Sequence, residues 1–322
     1  MMQIFDEARV RALLSFDTLI PAMERALTDL SAGRVQQPLR SIIPVPAYAG
    51  LFGLMPAVYG DVLGAKLVMV YPGNAERGLP THLATVQLFR AATGEPLATM
   101  DGRLITEMRT AAVSAVATKL LARPDAHVLA ILGSGVQARS HAQALRLVRA
   151  FDEVRIWSPT PAHAKQCAGE VGGVAMPAED AVRGADVVVT VTGSGQPVLR
   201  GAWLSEGAHV NAVGAVGPAR RELDEEAMRG AVIVETREAA LAESGDILLA
   251  KAPIYAELGE LLAGTKPLPR ARTTIFKSLG QAVEDIAAAR LVYDAASGEL
   301  GERLQQKGKP KAGAKHLPEI TN

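Results

Sequence analysis

The sequence predicts an α/β protein, with a doubly wound parallel-sheet domain over residues 119–294 and an α+β domain over residues 1–118. Three observations predict it. From His127 onward, short apolar runs alternate with helical patterns, the order of a parallel sheet flanked by helices. Before that point, apolar runs succeed one another between Gly and Pro residues, as in a meandering sheet. A glycine-rich turn at Gly133 stands where a strand pattern passes into a helix pattern.

With 322 residues, 48% of them hydrophobic and 21% charged, the chain is long enough for a large core and two domains. Its 34 basic and 34 acidic side chains cancel, so no global field favours nucleic acid or an anionic membrane, and a small molecule is the expected partner. The single cysteine, Cys167, cannot form an internal disulfide, and MMQIFDEARV lacks a signal-peptide pattern. No stretch reaches the roughly 20 apolar residues of a membrane span. The expectation is a cytoplasmic protein with no membrane or nucleic-acid partner.

Residues 6–31 carry Val10, Leu13, Leu14, Ile20, Met23, Leu27 and Leu30 at helical spacing, and Gly33 follows as a stop. SIIPVP, LFGLMPAVY and GAKLVMVYP read as strands, and THLATVQLFRAATGEPLATMDG as two strands around a Thr93-Gly94 turn. MRTAAVSAVATKLLA is a helix ended by Pro124. HVLAILG, EVRIWSP, DVVVTVTG, HVNAVGAVG and AVIVET then read as strands, with VQARSHAQALRLVRAF, AEDAVRGA and DEEAMRGA as helices between them. SLGQAVEDIAAARLVYDAA is a strong helix, and GERLQQKGKPKAGAKHLPEITN a basic tail.

Gly133, Gly135 and Ala138 form G-x-G-x-x-A directly after the HVLAIL strand. A tight turn there lets backbone N–H groups approach a pyrophosphate at a helix N-terminus, the Rossmann arrangement for a dinucleotide. Gly133, Gly135, Val136 and Gln137 are the expected contacts. An acid at the end of the second strand would bind a ribose 2′-hydroxyl and repel a 2′-phosphate; here stand Ser158, Pro159 and Thr160. Two hydroxyls and no carboxylate favour NADP(H), with NAD(H) possible; no Arg stands there, and Lys165 is one helix turn on. A simple turn with Thr160 as helix cap would suit either cofactor. Thr190 and Thr192 close a strand at the carboxyl edge of the sheet, where they could line the cleft or merely serve the strand.

Arg40, Lys66 and Arg109 stand in apolar or small-residue surroundings. Each needs a carboxylate partner, or together they form an anion site. The histidines and Cys167 show no metal-ligand spacing, so no metal is expected.

GAKLVMVYPGNAERGLPTH, DGRLITEMRTAAVSAVATKLLA and ILGSGVQARSHAQAL resemble the ornithine cyclodeaminase and mu-crystallin family, from about Gln37 to Gly298. NAVGAVGPARRELDEEAM, EAALAESGDILL and TTIFKSLGQAVEDIAAARLVYD are most similar to its ketimine reductase branch. The resemblance implies a homodimer in which the first domain, completed by the C-terminal segment 295–322, binds substrate and dimerises. It implies that Arg40 and Arg109 clamp a substrate carboxylate and that Lys66 stands beside the reacting carbon, as guanidinium forks and a proton-donating amine would require. It adds Thr81, His82, Arg109, Val213 and Ser278 to the expected cofactor contacts. His82 could instead be structural, and Ser278 with Gln281 could be a capping box.

Cyclodeaminases of the family carry an Asp after the NAVG-like strand, where this chain has Val216. A valine cannot handle an amine, and Asp224, eight residues on, reads as a helix cap. The resemblance therefore implies an NAD(P)H-dependent reductase of cyclic ketimine carboxylates such as 1-pyrroline-2-carboxylate or 1-piperideine-2-carboxylate. The alternatives are ornithine cyclodeamination, alanine-type dehydrogenation and non-catalytic, cofactor-dependent ligand binding. Glu243 in LAESGD could face the substrate pocket.

Overall fold

The computed structural model describes residues 2–298, so all but the first four residues of the segment 295–322 expected to complete the first domain, the basic tail included, lie outside the described residues. The chain forms two sheets, as the α/β pattern requires. In the first, strands Ser41–Val45, Gly50–Tyr59, Val62–Val70, His82–Arg90 and Pro96–Asp101 follow one another antiparallel, with Gly94 at positive φ in the last hairpin. Gln3–Phe5 adds a parallel edge strand.

The N-terminal apolar run makes two helices, Glu7–Leu13 and Phe16–Ser31. Leu14 and Ser15 between them are extended, and Ser15 takes the cap position of the second, so the helical periodicity continues across a break that it does not reveal. The next long helix, Gly102–Leu121, starts before the apolar run because the Asp101 carboxylate accepts from the N–H groups of Arg103 and Leu104. It spans the expected boundary at residue 118.

The second sheet is parallel throughout, and its first five strands run in the order Val174–Ala175, Glu153–Trp157, Val128–Leu132, Val187–Thr190, His209–Ala212. Thr274–Lys277, Ala231–Val234 and Ile254–Glu257 complete it. Thr274–Lys277 and Ile254–Glu257 were not expected as strands, and the first lies inside the sheet, buried on both faces; four residues give too short a pattern to read. DEEAMRGA makes only a single 3-10 turn, Ala227–Arg229. Strand order reverses at Val128–Leu132, where the chain crosses to Val187–Thr190, and this is the crevice in which such sheets hold ligands.

The closing helix Ala282–Ser297 packs on the first sheet and on helices Phe16–Ser31 and Gly102–Leu121. The return to the first domain thus occurs at residues 278–282, and the expected boundary at 295 falls too late. No helix among the described residues is long and apolar enough to cross a membrane.

Candidate active site

The glycine turn has the geometry a pyrophosphate needs. Gly133 has φ +139°, and a Cβ there would lie 2.6 Å from the Val191 carbonyl oxygen, so only glycine fits. Gly135 is the cap of helix Val136–Arg146; no side chain caps that helix, and a Cβ on Gly135 would meet nothing within 4 Å. The helix N-terminus therefore opens onto free space with Val136 exposed. Buried Gln137 Oε1 has no partner among the described residues. An open N-terminus, a bare glycine approach and an orphaned acceptor fit a dinucleotide.

Ser158 is buried with its hydroxyl 2.9 Å from that of Ser134, while Thr160 is exposed at the cap position of helix Pro161–Val171 and makes no capping bond. The pair of hydroxyls expected for a phosphate is thus unequal: Thr160 is the open one.

Thr190 and Thr192 do not present free hydroxyls. Both donate to Glu222, a fully buried carboxylate unmarked in the sequence, at 2.8 and 2.7 Å. Glu222 also accepts from the N–H groups of Thr192 and Gly214, each at 2.7 Å, and so ties two strand ends together. Burial pushes its carboxyl above the usual range, against the pull of Lys277. Asp246 accepts from the Glu222 and Leu223 N–H groups and lies 2.9 Å from the Lys277 ammonium, which donates to the Ala215 carbonyl at 2.6 Å. Val213, nearly buried, extends this edge. Asp224 accepts from the N–H groups of Gly201 and Ala227 at 2.9 and 2.8 Å; the helix it was expected to cap is only a 3-10 turn with Glu226 at the cap position.

Arg40, Lys66 and Arg109 each meet carboxylates, and they converge. Lys66 points inward from the first sheet and lies 2.7 Å from Asp285 on the closing helix. Arg109 donates to Asp285 through Nε at 3.2 Å and to Glu284 through Nη1 at 2.8 Å. Arg40 Nε lies 2.9 Å from Glu243, and its Nη2 donates to the carbonyls of Leu279 and Gly280 at 3.0 and 2.7 Å. A Cβ on Gly280 (φ +78°) would lie 2.4 Å from Arg109 Nη1, so the turn touches both arginines.

Glu235 holds that turn, accepting from Ser278 Oγ and Leu279 N–H at 2.8 Å and from Gly280 N–H at 3.0 Å. Ser278 is 1% exposed with its hydroxyl committed to Glu235, and Gln281, not Ser278, occupies the helix cap position. The expected capping box is absent, and Ser278 shapes the turn from beneath.

Burial drives the Lys66 ammonium down to about 8; Asp285 opposes this, and Arg109 adds to it. Burial acts against ionisation of Asp285 too, but Lys66 and Arg109 outweigh it and hold the carboxyl below its usual value. Glu284 is pushed up to about 8 by burial and then by Glu235, and its Oε1 has no hydrogen-bond partner among the described residues. His82, half-buried, is held down to about 4 by burial and by Lys66 and Arg109, so its imidazole is neutral near pH 7. Thr81 is exposed, with its carbonyl engaged by Tyr71 N–H at 2.8 Å. Val216 is 39% exposed, and Gly217 N–H donates to the Glu243 carbonyl at 2.8 Å.

The site thus holds a lysine that gains and loses a proton near pH 8 beside a fixed carboxylate, and two guanidiniums around one turn. Of the acids that complete it, the sequence points to Glu243 and leaves Glu284 and Asp285 unassigned. One signal was available: Glu284-Asp285 opens an otherwise Ala-rich, apolar helix, and three basic residues lacked partners.

Comparison with known proteins places the chain in one family. The Ornithine cyclodeaminase/mu-crystallin family profile matches residues 1–299. The chain is 50% identical over 291 residues to the ketimine reductase mu-crystallin of Mus musculus, covering 88% of this chain and 93% of the relative. Its fold matches Thermococcus litoralis Delta(1)-pyrroline-2-carboxylate reductase, solved with NADH and L-proline, at TM-score 0.88 and 37% identity, over 92% of this chain and 98% of that one. An archaeal alanine dehydrogenase dimer with bound NAD matches at TM-score 0.88 and 34% identity, over 92% and 97% of the two chains. The chain belongs to the ornithine cyclodeaminase/mu-crystallin family.

Proposed function

We propose that this chain is an NADPH-dependent reductase of cyclic ketimine carboxylates, with 1-pyrroline-2-carboxylate and 1-piperideine-2-carboxylate as the substrate class. The observation that carries the reading is the Lys66–Asp285 pair beside two guanidiniums, with no acid at Val216 to hold a second amine. The ketimine reductase and pyrroline-2-carboxylate reductase relatives support the same class.

When bound at the Gly133–Gln137 turn, the reduced nicotinamide supplies a hydride to the C=N carbon. The chain's own residues do the rest. Arg40 Nη1 and Arg109 Nη2 make no hydrogen bond among the described residues, so each guanidinium keeps an edge for the substrate carboxylate. The Lys66 ammonium gives its proton to the ring nitrogen as the amine forms, and Asp285 keeps Lys66 charged enough at neutral pH to do so. The buried surroundings of Lys66 keep water from competing for that proton. Gln137 and the turn N–H groups bind the cofactor, with Thr160 and the absence of an acid at Ser158 favouring the 2′-phosphate. Thr190, Thr192, Val213, Thr81 and His82 line its nicotinamide end in this reading.

The working unit is a homodimer. The outer face of the first sheet presents Ile43, Leu54, Val58 and Leu83, all exposed, an apolar surface that a second copy would bury. A cytoplasmic setting agrees with the one buried thiol, Cys167.

Steady-state oxidation of NADPH and NADH with both ketimines tests the reading. Turnover with either imine and a higher kcat/KM with NADPH is the expected result. Release of proline and ammonia from ornithine alone, faster than imine reduction, would replace it by a cyclodeaminase.

A further inference from the structure

The Arg40–Glu243 contact has no role in the reaction just described. Both side chains are mostly buried, at 15% and 17% exposure, and both line one small cavity with Gln37, Met55 and Gly280. Glu243 Oε2 lies 2.9 Å from Arg40 Nε, yet it is buried and makes no aligned hydrogen bond. Charge attraction alone joins the two. The rest of Arg40 is firmly placed, since Nη2 donates to two carbonyls of the Glu235-held turn. Glu243 has a fixed backbone: it ends helix Arg237–Glu243, and its carbonyl accepts from Gly217 N–H at 2.8 Å. Only its carboxylate is weakly held.

We infer that Glu243 is an internal competitor for the substrate carboxylate on Arg40, a residue that sets the site's affinity for carboxylates and that the substrate displaces when it binds. This rests on the proposed reading of Arg40 as a carboxylate-binding residue. A mostly buried guanidinium in an empty site is costly without a counter-ion, and Glu243 supplies one. A ring with a carboxylate replaces that counter-ion by one that accepts a charge-assisted hydrogen bond from the open Arg40 Nη1. An uncharged cyclic imine cannot make the exchange and leaves Arg40 paired to Glu243. The contact therefore lowers affinity for ligands that carry a carboxylate and leaves uncharged rings unaffected.

The test is Glu243→Gln, which keeps size and a carbonyl acceptor but removes the charge, with Glu243→Ala as a second variant and Arg40→Ala as the reference. The probe is cyclopentanecarboxylate, a ring acid without the reacting nitrogen, measured as an inhibitor competing with the imine. For a pair this far buried, the expected change is a fall in its Ki, and in KM for the imine, of about threefold to tenfold. The Kd for NADPH, read by fluorescence, is expected to stay the same, which also establishes that each variant is folded. An unchanged or raised Ki in both Glu243 variants, with Ki raised in Arg40→Ala, overturns the inference and leaves the reductase reading standing. An unchanged Ki in Arg40→Ala removes Arg40 from the carboxylate site and takes the inference with it.

Discussion

Replacing Asp285 by Asn removes one charge and almost no volume. Its two oxygens lie 2.7 Å from Lys66 Nζ and 3.2 Å from Arg109 Nε. At 2.7 Å, two unit charges interact by about 6 kcal/mol at an effective dielectric constant of about 20, and relaxation of the pocket will reduce this. Retention of even half that coupling corresponds to about two pH units on the lysine. Lys66 already titrates near 8 because burial disfavours its charge, and the charge of Asp285 is what opposes that burial. Loss of the charge therefore moves the lysine further down. If the reaction needs protonated Lys66, the alkaline limb of kcat/KM lies near pH 8 in the native enzyme and moves toward acid by about two units in Asp285→Asn. At pH 7.5 the variant would then lose roughly 25-fold in rate, and part of that would return at pH 6. Imine-dependent NADPH oxidation across pH 5.5 to 9.5, with cofactor affinity checked in parallel, measures it. A uniform loss at every pH, with the alkaline limb where the native enzyme has it, would refute the argument, because Asp285 would then be serving only as a packing partner.

Three further outcomes follow from the same geometry. Glu284 titrates near 8 in the folded chain against an ordinary 4.5, so the stability linked to its proton is full below about pH 4.5 and lost as pH rises through 8. Glu284→Gln should raise Tm by roughly 2 °C or more at pH 9 and little at pH 5, as differential scanning calorimetry would record; equal shifts at both would contradict the assignment. Gly133→Ala places a methyl 2.6 Å from a carbonyl oxygen at a φ that only glycine tolerates, and NADPH affinity by fluorescence titration should fall at least about tenfold. Ser158→Asp puts a carboxylate at the end of the second Rossmann strand, and the NADPH-to-NADH ratio of kcat/KM should fall about tenfold; an unchanged ratio would move the 2′-phosphate site elsewhere.

The glycine turn was legible because its signal is local. A strand, two glycines and a helix N-terminus within eleven residues fix both backbone shape and ligand chemistry, and Gly133 and Gly135 stand where that pattern requires. Thr190 and Thr192 show the opposite case. Their place at a strand end could be read, but their hydroxyls belong to Glu222, an acid thirty residues on in a run that reads as a solvated helix start. The capping alternative for Ser278 arises because the helical periodicity extends beyond the helix, while the hydroxyl partner, Glu235, sits on another strand end.

By itself, the sequence determined the two-domain α/β plan, the dinucleotide turn, and the need of Arg40, Lys66 and Arg109 for opposite charges. Each follows from neighbours along the chain: hydropathy period, backbone freedom at glycine, and the cost of burying charge among apolar residues. The partners were decided only by tertiary structure. Thr274–Lys277 enters the second sheet, and the turn after it sends helix Ala282–Ser297 back onto the first, carrying Glu284 and Asp285 to arginine and lysine residues about 175 and 220 positions away. Charge complementarity acts through space at a few ångströms, so the sequence could state that partners must exist, and only the fold could choose them.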